Sequence, residues 1–416
     1  MAKEMKYILG ISDVGGSGAG GHGRAFKEIV RCINELVVLM PSAKNMHDEL
    51  FKSKHIFKFT ALNRKKNKSR YIIKKIYNIL SHIEMSILPL IWIILATRNR
   101  PSLIVASGPL FCGGLGALLL KKITNIPFIT LVHGEELSRM ARKVTMKDKI
   151  YFYFIRFVLR NARGVICNSY NTWRLTYMNY GIDPSKLTVI YPSIDVSEFI
   201  IDKQKAILFK KQLVGASQLI FMAGRIEQTR KGFDKAIEAL PNIMRKYPTV
   251  KLVIAGPGDQ KRLKELCKKY RVNSNVLFLG EIERSKLIML FAVCDVFLFP
   301  ARNMPDGDIE GFGITILEAN VMGRPVIVGR SGGTEEAVID GETGLLIDGN
   351  NVQQIASAII CLLSDKTYAN KLGAEGQVRV LRDFNTRIQG LKCAELIKQF
   401  AQKLAISENM TEGREQ

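Results

Sequence analysis

The sequence lacks the features that mark secreted, disulfide-linked and membrane-spanning proteins. Its seven cysteines are scattered and no two are spaced as CxxC, so we expect neither a disulfide framework nor a zinc site. The basic N-terminal start has an apolar run of only about five residues, too short for the core of a signal peptide. The longest apolar run, Ser86–Ala96, covers about half of a membrane span. These absences predict a protein of the reducing cytoplasm.

Acidic residues are also scarce. Sixty-one Lys and Arg stand against thirty-eight Asp and Glu, which leaves a net charge of +23. The stretch 52–75 holds ten basic residues and no acid, with aromatic residues and Ile between them, and a second basic group lies between Arg139 and Lys149. Basic and apolar residues together favour an anionic membrane surface, each basic residue near it contributing about 1 kcal/mol. The alternative is a solvated face. Nucleic acid is disfavoured because no recognised nucleic-acid-binding motif accompanies the charge.

The length and the pattern of apolar runs predict two domains. A chain of 416 residues is long for one core, and short apolar runs alternate with amphipathic stretches along most of it. We therefore expect an α/β fold with two doubly wound Rossmann-like domains that face a central cleft. The predicted domains are 1–192 and 193–385, with the closing helix 386–416 packing back on the first. In such sheets ligands bind beyond the carboxyl ends of the strands.

A glycine-rich loop, 13–24, follows the first predicted strand and contains GxGxxG twice. A dinucleotide site would also need an acidic residue at the end of the second strand, and "LVVLMPSAK" has none, so we exclude NAD. A glycine turn that opens a helix still leaves backbone N–H groups suited to a phosphate. The alternative is a flexible turn.

Three side chains follow predicted strands closely. His133 in "LVHGEEL" stands where an imidazole can donate to a sugar hydroxyl or lie beside developing charge. Arg225 and Lys231, in "AGRIEQTRKGF", flank one strand-to-helix loop and are predicted to hold a diphosphate. A structural His and two ordinary loop cations are the alternatives.

The segment "DIEGFGITILEA", Asp308–Ala319, places two glutamates around a glycine turn. The turn predicts a helix whose bare N–H groups, on Gly313, Ile314 and Thr315, receive a diphosphate. Glu310 is predicted to accept hydrogen bonds from sugar hydroxyls, and Glu318 from a ribose diol.

Two neighbouring loops are interpreted as structural and not as ligand-binding. The triplet Asp306-Gly-Asp308 resembles a metal-binding DxD pattern, but several loop residues separate it from the preceding strand, so we interpret it as a solvated loop. Gly332 and Gly333 are expected at the wall of the cleft, and "GETGLL" is expected to form a turn.

These motifs, in this order, resemble glycosyltransferase family 4, retaining enzymes of the two-domain GT-B architecture. The matching segments include "GGSG", "HGEE", "AGRIEQTRKGF", "AGPGD", "EGFGITILEANVMGRPVIVGRSGG" and "DGETGLLID". They cover the second predicted domain nearly end to end and the first only at loops. The glycine-rich loop is longer than usual in this family, and 52–75 has no counterpart in it.

The resemblance implies a role for each matching position. Arg225 and Lys231 would hold the donor diphosphate, Glu310 would contact the donor sugar, and Glu318 would contact the nucleotide ribose. His133 would face the sugar from the other domain. Three further contacts come from the resemblance alone: Gly15 and Gly16 with the phosphates, and backbone near Ile282 with the base. The family needs no metal or other cofactor, and it retains the anomeric configuration by same-face attack.

The sequence thus predicts a hexosyltransferase that uses a UDP- or GDP-sugar. Its acceptor is expected to be a lipid-linked or cell-envelope glycan, and the protein is expected to be peripheral to the cytoplasmic face of the membrane through the stretch 52–75. A nucleotide-sugar epimerase of the same architecture, a transferase with a small soluble acceptor and a non-catalytic sugar-nucleotide sensor are the alternatives.

Overall fold

The protein is described here by a computed structural model that covers residues 8–11, 36–41, 56–59, 102–226 and 228–412. Side chains are described from 102 to 400, except at 111, 112 and 227. The predicted phosphate contacts Gly15 and Gly16 lie outside the described residues. So does the basic stretch 52–75, apart from the backbone of 56–59.

The described chain divides into two compact units. The first takes the described residues up to 168, then 172–191 and the chain from 389 onward; the second takes 169–171 and 192–388. Most strands that are described with their side chains are buried along their whole length, as in parallel sheets covered by helices on both faces. The predicted fold class, α/β with two doubly wound units, is confirmed.

The first unit has a seven-stranded parallel sheet. Its strands are β1 (Ile8–Ile11), β2 (Leu36–Pro41), β3 (Ile56–Phe59), β4 (Leu103–Ala106), β5 (Phe128–Val132), β6 (Gly164–Cys167) and β7 (Leu187–Val189). Its described helices are α1 (Phe111–Thr124), α2 (Glu135–Ala141), α3 (Met146–Asn161) and α4 (Tyr170–Tyr180), with a 3-10 turn at Pro184–Lys186. The strand order is β3-β2-β1-β4-β5-β6-β7.

The second unit repeats this arrangement with six strands. They are β8 (Leu219–Ala223), β9 (Lys251–Ala255), β10 (Val276–Gly280), β11 (Val296–Phe299), β12 (Val326–Gly329) and β13 (Leu345–Ile347), in the order β10-β9-β8-β11-β12-β13. The helices are α5 (Lys203–Val214), α6 (Phe233–Met244), α7 (Lys261–Tyr270), α8 (Arg284–Val293), α9 (Ile314–Val321), α10 (Thr334–Ala337), α11 (Val352–Ser364) and α12 (Lys366–Asp383). Three 3-10 turns cover Val196–Phe199, Thr229–Lys231 and Asn273–Asn275.

The last helix, α13 (Thr386–Glu412), belongs to the first unit from Gln389 onward. Its Phe400 ring lies directly over Gly164 at the start of β6, where a Cβ would come within 2.3 Å of the ring. Glycine at 164 therefore allows the closing helix to lie flat on the sheet of that unit.

Two strands were not predicted. β3 lies inside the basic stretch and pairs with β2, so this part of 52–75 extends the sheet. β13 begins within "GETGLL", which therefore continues from a turn into an edge strand that pairs with β12. Both are short runs at the ends of their sheets, where a strand has one neighbour and needs less apolar sequence. No helix in the described part of the chain is both long and apolar enough to cross a bilayer.

The strand order fixes where each unit can bind a ligand. In both sheets the order reverses between the first and fourth strands of the unit, which are β1 and β4 in the first and β8 and β11 in the second. Ligands of doubly wound sheets lie at this switch point, beyond the carboxyl ends of the strands. In the second unit the loops that leave it carry Arg225, Lys231 and Glu310.

Candidate functional site

The loop after β8 is tied to the loop after β11 through backbone and buried charge. The N–H of Arg302 donates to the carbonyl of Arg230 at 2.9 Å. The Arg302 guanidinium donates to both carboxylate oxygens of Asp234, in the first turn of α6, at 2.9 and 2.8 Å. Both side chains of this pair are buried. A two-pronged pair of this kind fixes orientation, so the turn Thr229–Lys231 is held against the carboxyl end of β11.

Glu310 lies at the centre of a buried charge cluster. Its Oε2 accepts from Lys231 Nζ at 3.1 Å and from Arg230 Nε at 3.2 Å. The other end of the Arg230 guanidinium, Nη1, reaches both oxygens of Asp308 at 3.1 and 3.0 Å. Two cations thus face two carboxylates within one connected group, the Glu310 cluster (Arg230, Lys231, Asp308 and Glu310).

The cluster keeps Glu310 ionised. Burial alone would raise the pKa of Glu310, but Lys231 and then Arg230 outweigh it, and together they hold the pKa below its usual value of 4.5. A buried carboxylate that stays charged is a strong hydrogen-bond acceptor for hydroxyl groups. A residue that binds sugar hydroxyls needs this ability to accept hydrogen bonds.

The prediction that the Asp306-Asp308 loop is merely solvated is wrong for Asp308. Asp306 is exposed, and its carboxylate accepts from the N–H of Asp308 at 3.0 Å, which forms a tight Asx turn. The turn directs Asp308 inward onto Arg230. The triplet Asp306-Gly-Asp308 therefore holds Asp308 in place as a partner that orients the Arg230 side chain. The described residues contain no group of three or more His, Cys, Asp or Glu that could hold a metal ion.

The two predicted phosphate cations have different surroundings. Lys231 is largely buried, with its Nζ 4.7 Å from the centroid of the Phe299 ring and bonded to Glu310. Arg225 is exposed and makes no ion pair among the described residues. The structure thus brings Lys231, but not Arg225, into contact with Glu310. Arg225 has the freedom to meet a ligand from solvent.

The predicted helix start is present. Gly313 is the N-cap of α9 with a φ of +90°, a conformation that favours glycine, so the chain turns sharply and leaves the first-turn N–H groups uncapped by a side chain. The Thr315 hydroxyl in that turn is buried and has no hydrogen-bond partner among the described residues. A buried hydroxyl without a partner costs free energy, which a ligand oxygen at the helix start would recover.

Gly332 and Gly333 support Glu310. A Cβ on Gly332 would lie 2.2 Å from the carbonyl oxygen of Glu310, and one on Gly333 would lie 2.1 Å from that of Gly311. The N–H of Gly333 donates to the Glu310 carbonyl at 3.0 Å, and the Ser331 hydroxyl accepts from the Glu310 N–H at 3.2 Å. The two glycines therefore let one loop back directly onto the segment that carries Glu310.

Glu318 has a separate partner. It is fully buried in α9, and its Oε1 accepts from Arg284 Nη1 at 2.6 Å. Arg284 Nη2 also reaches Glu198 Oε2 at 3.2 Å, and the guanidinium lies 5.1 Å from the centroid of the Phe199 ring. Burial lowers the pKa of Arg284, but Glu318 and Glu198 outweigh it and raise the pKa overall. Ile282, predicted near the base, is half-buried in the loop that leads into α8.

In the first unit, His133 follows β5 directly and is buried. Its Nε2 lies 3.3 Å from the carbonyl oxygen of Ser107, which follows β4. The backbone N–H of His133 donates to Glu136 Oε1 at 2.7 Å, and the backbone carbonyl of His133 accepts from Asn168 Nδ2 at 3.0 Å. The tautomer that donates from Nε2 carries its lone pair on Nδ1, so that nitrogen is the acceptor. The imidazole is thus held at the carboxyl edge of the sheet.

Sequence reasoning missed Arg230 and Arg284. Each contacts one of the two glutamates that were predicted to grip sugars. The signal for Arg230 was the adjacent pair "RK" before Gly232, but an adjacent pair does not show which cation faces inward. For Arg284 the sequence offers only a basic residue at the start of a helix, where a cation is not expected from the helix dipole.

Two family models match the chain. Residues 203–379 match the family described as Glycosyl transferases group 1, and residues 43–198 match Glycosyltransferase Family 4. The two matches do not overlap. Together they cover most of the chain.

Curated relatives and solved structures agree with this assignment. A GDP-mannose-dependent alpha-(1-6)-phosphatidylinositol monomannoside mannosyltransferase of Mycolicibacterium smegmatis is 35% identical over 209 residues, which are 50% of this chain and 54% of the relative. The chain thus spans about half the length of that relative. A GDP-mannose-dependent monoacylated alpha-(1-6)-phosphatidylinositol monomannoside mannosyltransferase of Corynebacterium glutamicum is 30% identical over 280 residues, 65% of this chain and 69% of that one.

The crystal structure of HepE from Anabaena in complex with UDP shares the fold. Its TM-score is 0.74 at 19% identity, and the match covers 95% of this chain and 100% of that chain. Both the sequence matches and the strand order therefore lead to one assignment. The chain belongs to glycosyltransferase family 4.

Proposed function

We propose that this protein is a retaining glycosyltransferase that moves a hexosyl unit from a UDP- or GDP-sugar to a lipid-linked or cell-envelope glycan acceptor at the cytoplasmic membrane face. The observation that carries the proposal is the Glu310 cluster beside the uncapped start of α9, at the switch point of the second sheet. The names of the mannosyltransferase relatives favour GDP-mannose as donor and a phosphatidylinositol-type lipid as acceptor.

The donor diphosphate is proposed to lie at the start of α9. The N–H groups of Gly313, Ile314 and Thr315 donate to its oxygens, the buried Thr315 hydroxyl gains a partner, and Arg225 closes over it from solvent. Lys231 shifts from Glu310 toward the phosphates. Gly15 and Gly16 are proposed to add backbone contacts.

Arg230 makes this shift of Lys231 possible. If Lys231 were the only cation on Glu310, its departure would leave a buried carboxylate without a counter-ion, which is strongly unfavourable. Arg230 stays, because its other end is held by Asp308. Glu310 therefore remains ionised and turns its acceptor capacity to the hydroxyls of the donor sugar.

The remaining contacts follow the same logic. Glu318 accepts from the ribose diol, backbone near Ile282 receives the base, and His133 contacts the donor sugar.

The acceptor hydroxyl attacks the anomeric carbon on the face from which the diphosphate leaves. The new glycosidic bond forms as the bond to phosphate breaks, and the leaving phosphate takes the proton of the acceptor. No metal is needed, since Arg225, Lys231 and the helix start meet the diphosphate charge.

Calorimetry with a panel of UDP- and GDP-sugars tests the site. Glu318→Ala and Arg225→Ala should each weaken donor binding by about tenfold or more, as expected for the loss of a charged hydrogen bond. Glu318→Gln separates loss of charge from loss of packing. Arg245→Ala and Glu375→Ala alter exposed positions of the second unit and should bind like wild type. Unchanged affinity in both site variants would refute the site.

Product analysis tests the reaction. A transferase releases nucleotide only when a membrane extract supplies acceptor, whereas an epimerase releases nucleotide and free sugar without one, and a sensor releases neither. The anomeric configuration of the product, measured by NMR, tests retention. The rate should be unchanged by EDTA. A rate that EDTA abolishes and Mg²⁺ restores would overturn metal independence.

A further inference from the structure

Helix α3 presents large apolar side chains on two opposite sides. The helix starts at a capping box, in which the Thr145 hydroxyl accepts from the N–H of Asp148 at 3.1 Å and the Asp148 carboxylate accepts from the N–H of Thr145 at 2.9 Å. Its inner side, with Phe152, Ile155 and Val158, is part of the core of the first unit.

The outer side carries a continuous apolar row. Met146, Ile150, Tyr153 and Phe157 are 71%, 62%, 58% and 48% exposed. Their spacings of four, three and four residues place them on one side of the helix. Isolated exposed apolar residues are ordinary on a protein surface, but a contiguous row of four large ones marks a surface with a partner. We call this row the α3 face.

Basic residues border the α3 face. Lys147 flanks the row on one side, and Lys149, Arg156 and Arg160 flank it on the other at helical spacing. Lys122, from the end of α1, has its Nζ 5.7 Å from the centroid of the Phe157 ring. The acid of the helix, Asp148, is engaged in the cap. The row is therefore apolar at its centre and positive at its edges.

The charge distribution selects the partner. A second copy of the chain would form a two-fold interface in which the same patch meets itself, and this would bring the lysines of both copies together. An anionic lipid surface offers the complementary charge at the headgroups and an apolar layer beneath them. Amphipathic helices that bind such surfaces have this composition, and Tyr is enriched at that depth.

We propose that the α3 face docks the protein on an anionic lipid bilayer. Met146, Ile150, Tyr153 and Phe157 enter the boundary between headgroups and acyl chains, while Lys147 and Lys149 lie at the level of the phosphates. The contact is made by a helix of the first unit that is separate in sequence from the basic stretch 52–75. It is also independent of the donor site proposed above, so either proposal can fail without the other.

Co-sedimentation of the full chain with lipid vesicles tests the proposal. The probes are vesicles of phosphatidylglycerol mixed with phosphatidylcholine, and vesicles of phosphatidylcholine alone. Wild type should bind the mixed vesicles, bind neutral vesicles far less, and lose binding as salt is raised. Donor and acceptor are absent from the assay, so its result does not depend on the transfer reaction.

Two variants separate the apolar and charged contributions. Met146→Ser/Ile150→Ser should weaken binding to mixed vesicles by at least about tenfold. Lys147→Glu/Lys149→Glu should weaken it by about thirtyfold or more. The matched controls lie in the second unit: Ile207→Ser/Leu208→Ser on α5, which removes exposed apolar side chains, and Lys268→Glu/Lys269→Glu on α7, which reverses exposed charges. Both should bind like wild type.

Three results would overturn the proposal. The first is wild type that stays in the supernatant with mixed vesicles. The second is α3-face variants that bind as tightly as their controls. The third is a wild-type dimer that Met146→Ser/Ile150→Ser converts to monomer while vesicle binding is unchanged or absent, which would assign the face to a second copy. Circular-dichroism melting confirms that each variant is folded.

Discussion

The two units use charge in opposite ways. In the second unit, Arg230, Asp308 and Glu310 place their charges inside the protein, each within hydrogen-bond distance of an opposite charge. In the first unit, Lys147 and Lys149 point their charges outward beside an apolar row. Basic residues therefore orient neighbouring side chains inside the second unit. In the first unit they produce a positive electrostatic potential at the surface.

The difference shows why formal net charge says little about a site. A buried ion pair is costly to desolvate and is weak evidence for added stability, so its presence argues for a positional role. Exposed lysines contribute little to folding, but their attraction to anionic surfaces adds up over a patch. We therefore expect the removal of charge to destabilise the second unit and to leave the stability of the first unchanged.

Arg230→Met should produce the largest loss of stability. It removes the guanidinium that contacts both Glu310 and Asp308, and breaking a buried pair in this way costs about 3–5 kcal/mol. Urea unfolding of the full chain, followed by circular dichroism, should show a transition of the second unit at lower denaturant. Arg230→Lys keeps the charge without the forked geometry and should lose less.

The matched control for Arg230 is Arg262→Met. Arg262 is exposed and its Nη2 lies 4.0 Å from Asp234, so its removal should change the free energy of unfolding by less than about 1 kcal/mol. If Arg230→Met unfolds together with this control and with wild type, the loss of Arg230 leaves no costly buried charge, and the Glu310 cluster does not stabilise the second unit.

The sequence predicted the architecture well because its evidence was local and repeated. Each strand of the second unit except β13 was predicted from a short, mainly apolar run, and the glycine turn before Ile314 started a helix as expected. Lys231 and Glu310 were expected in loops just after strands, and both lie in loops that leave the switch point of the second sheet. Strands, helix starts and the loops that follow strands can be predicted in this way, because they depend on the type and order of residues within a short segment.

The partners of the charged residues could not be predicted, because they depend on distances between loops. Asp308 looked solvated until its turn was seen to direct it onto Arg230, 78 residues away in sequence. Arg284 contacts Glu318 across 34 residues and Glu198 across 86. Ion pairs between loops of one sheet edge leave no period in the sequence, and only a folded chain shows which of two adjacent cations faces inward.

Acid should weaken the second unit through Glu310. Its pKa in the folded protein lies below its usual value of 4.5, because Lys231 and Arg230 outweigh the effect of burial, so the folded state favours the ionised form. The resulting stability is present above about pH 4.5 and is lost as the pH falls through the lower folded pKa. Glu310→Gln has no proton to bind there, so its free energy of unfolding should fall less steeply with decreasing pH in that window.

Urea unfolding of wild type and Glu310→Gln across a pH series measures this difference. Other carboxylates titrate in both proteins and cancel in the comparison of slopes. Parallel slopes below pH 4.5 would mean that the charge of Glu310 is not linked to folding, and the Glu310 cluster would then be electrostatically neutral in its effect.

The smallest effect on stability is expected for Lys147→Glu/Lys149→Glu. Both lysines are exposed on the flanks of α3, and the Nζ of Lys147 lies 5.5 Å from the centroid of the Tyr151 ring. Surface substitutions of this kind change the free energy of unfolding by less than about 0.5 kcal/mol. Unfolding should therefore match wild type in the absence of lipid, while the same variant loses vesicle binding. A destabilisation of several kcal/mol would instead mean that the outer side of α3 packs against protein, and the opposition between the two units would be wrong.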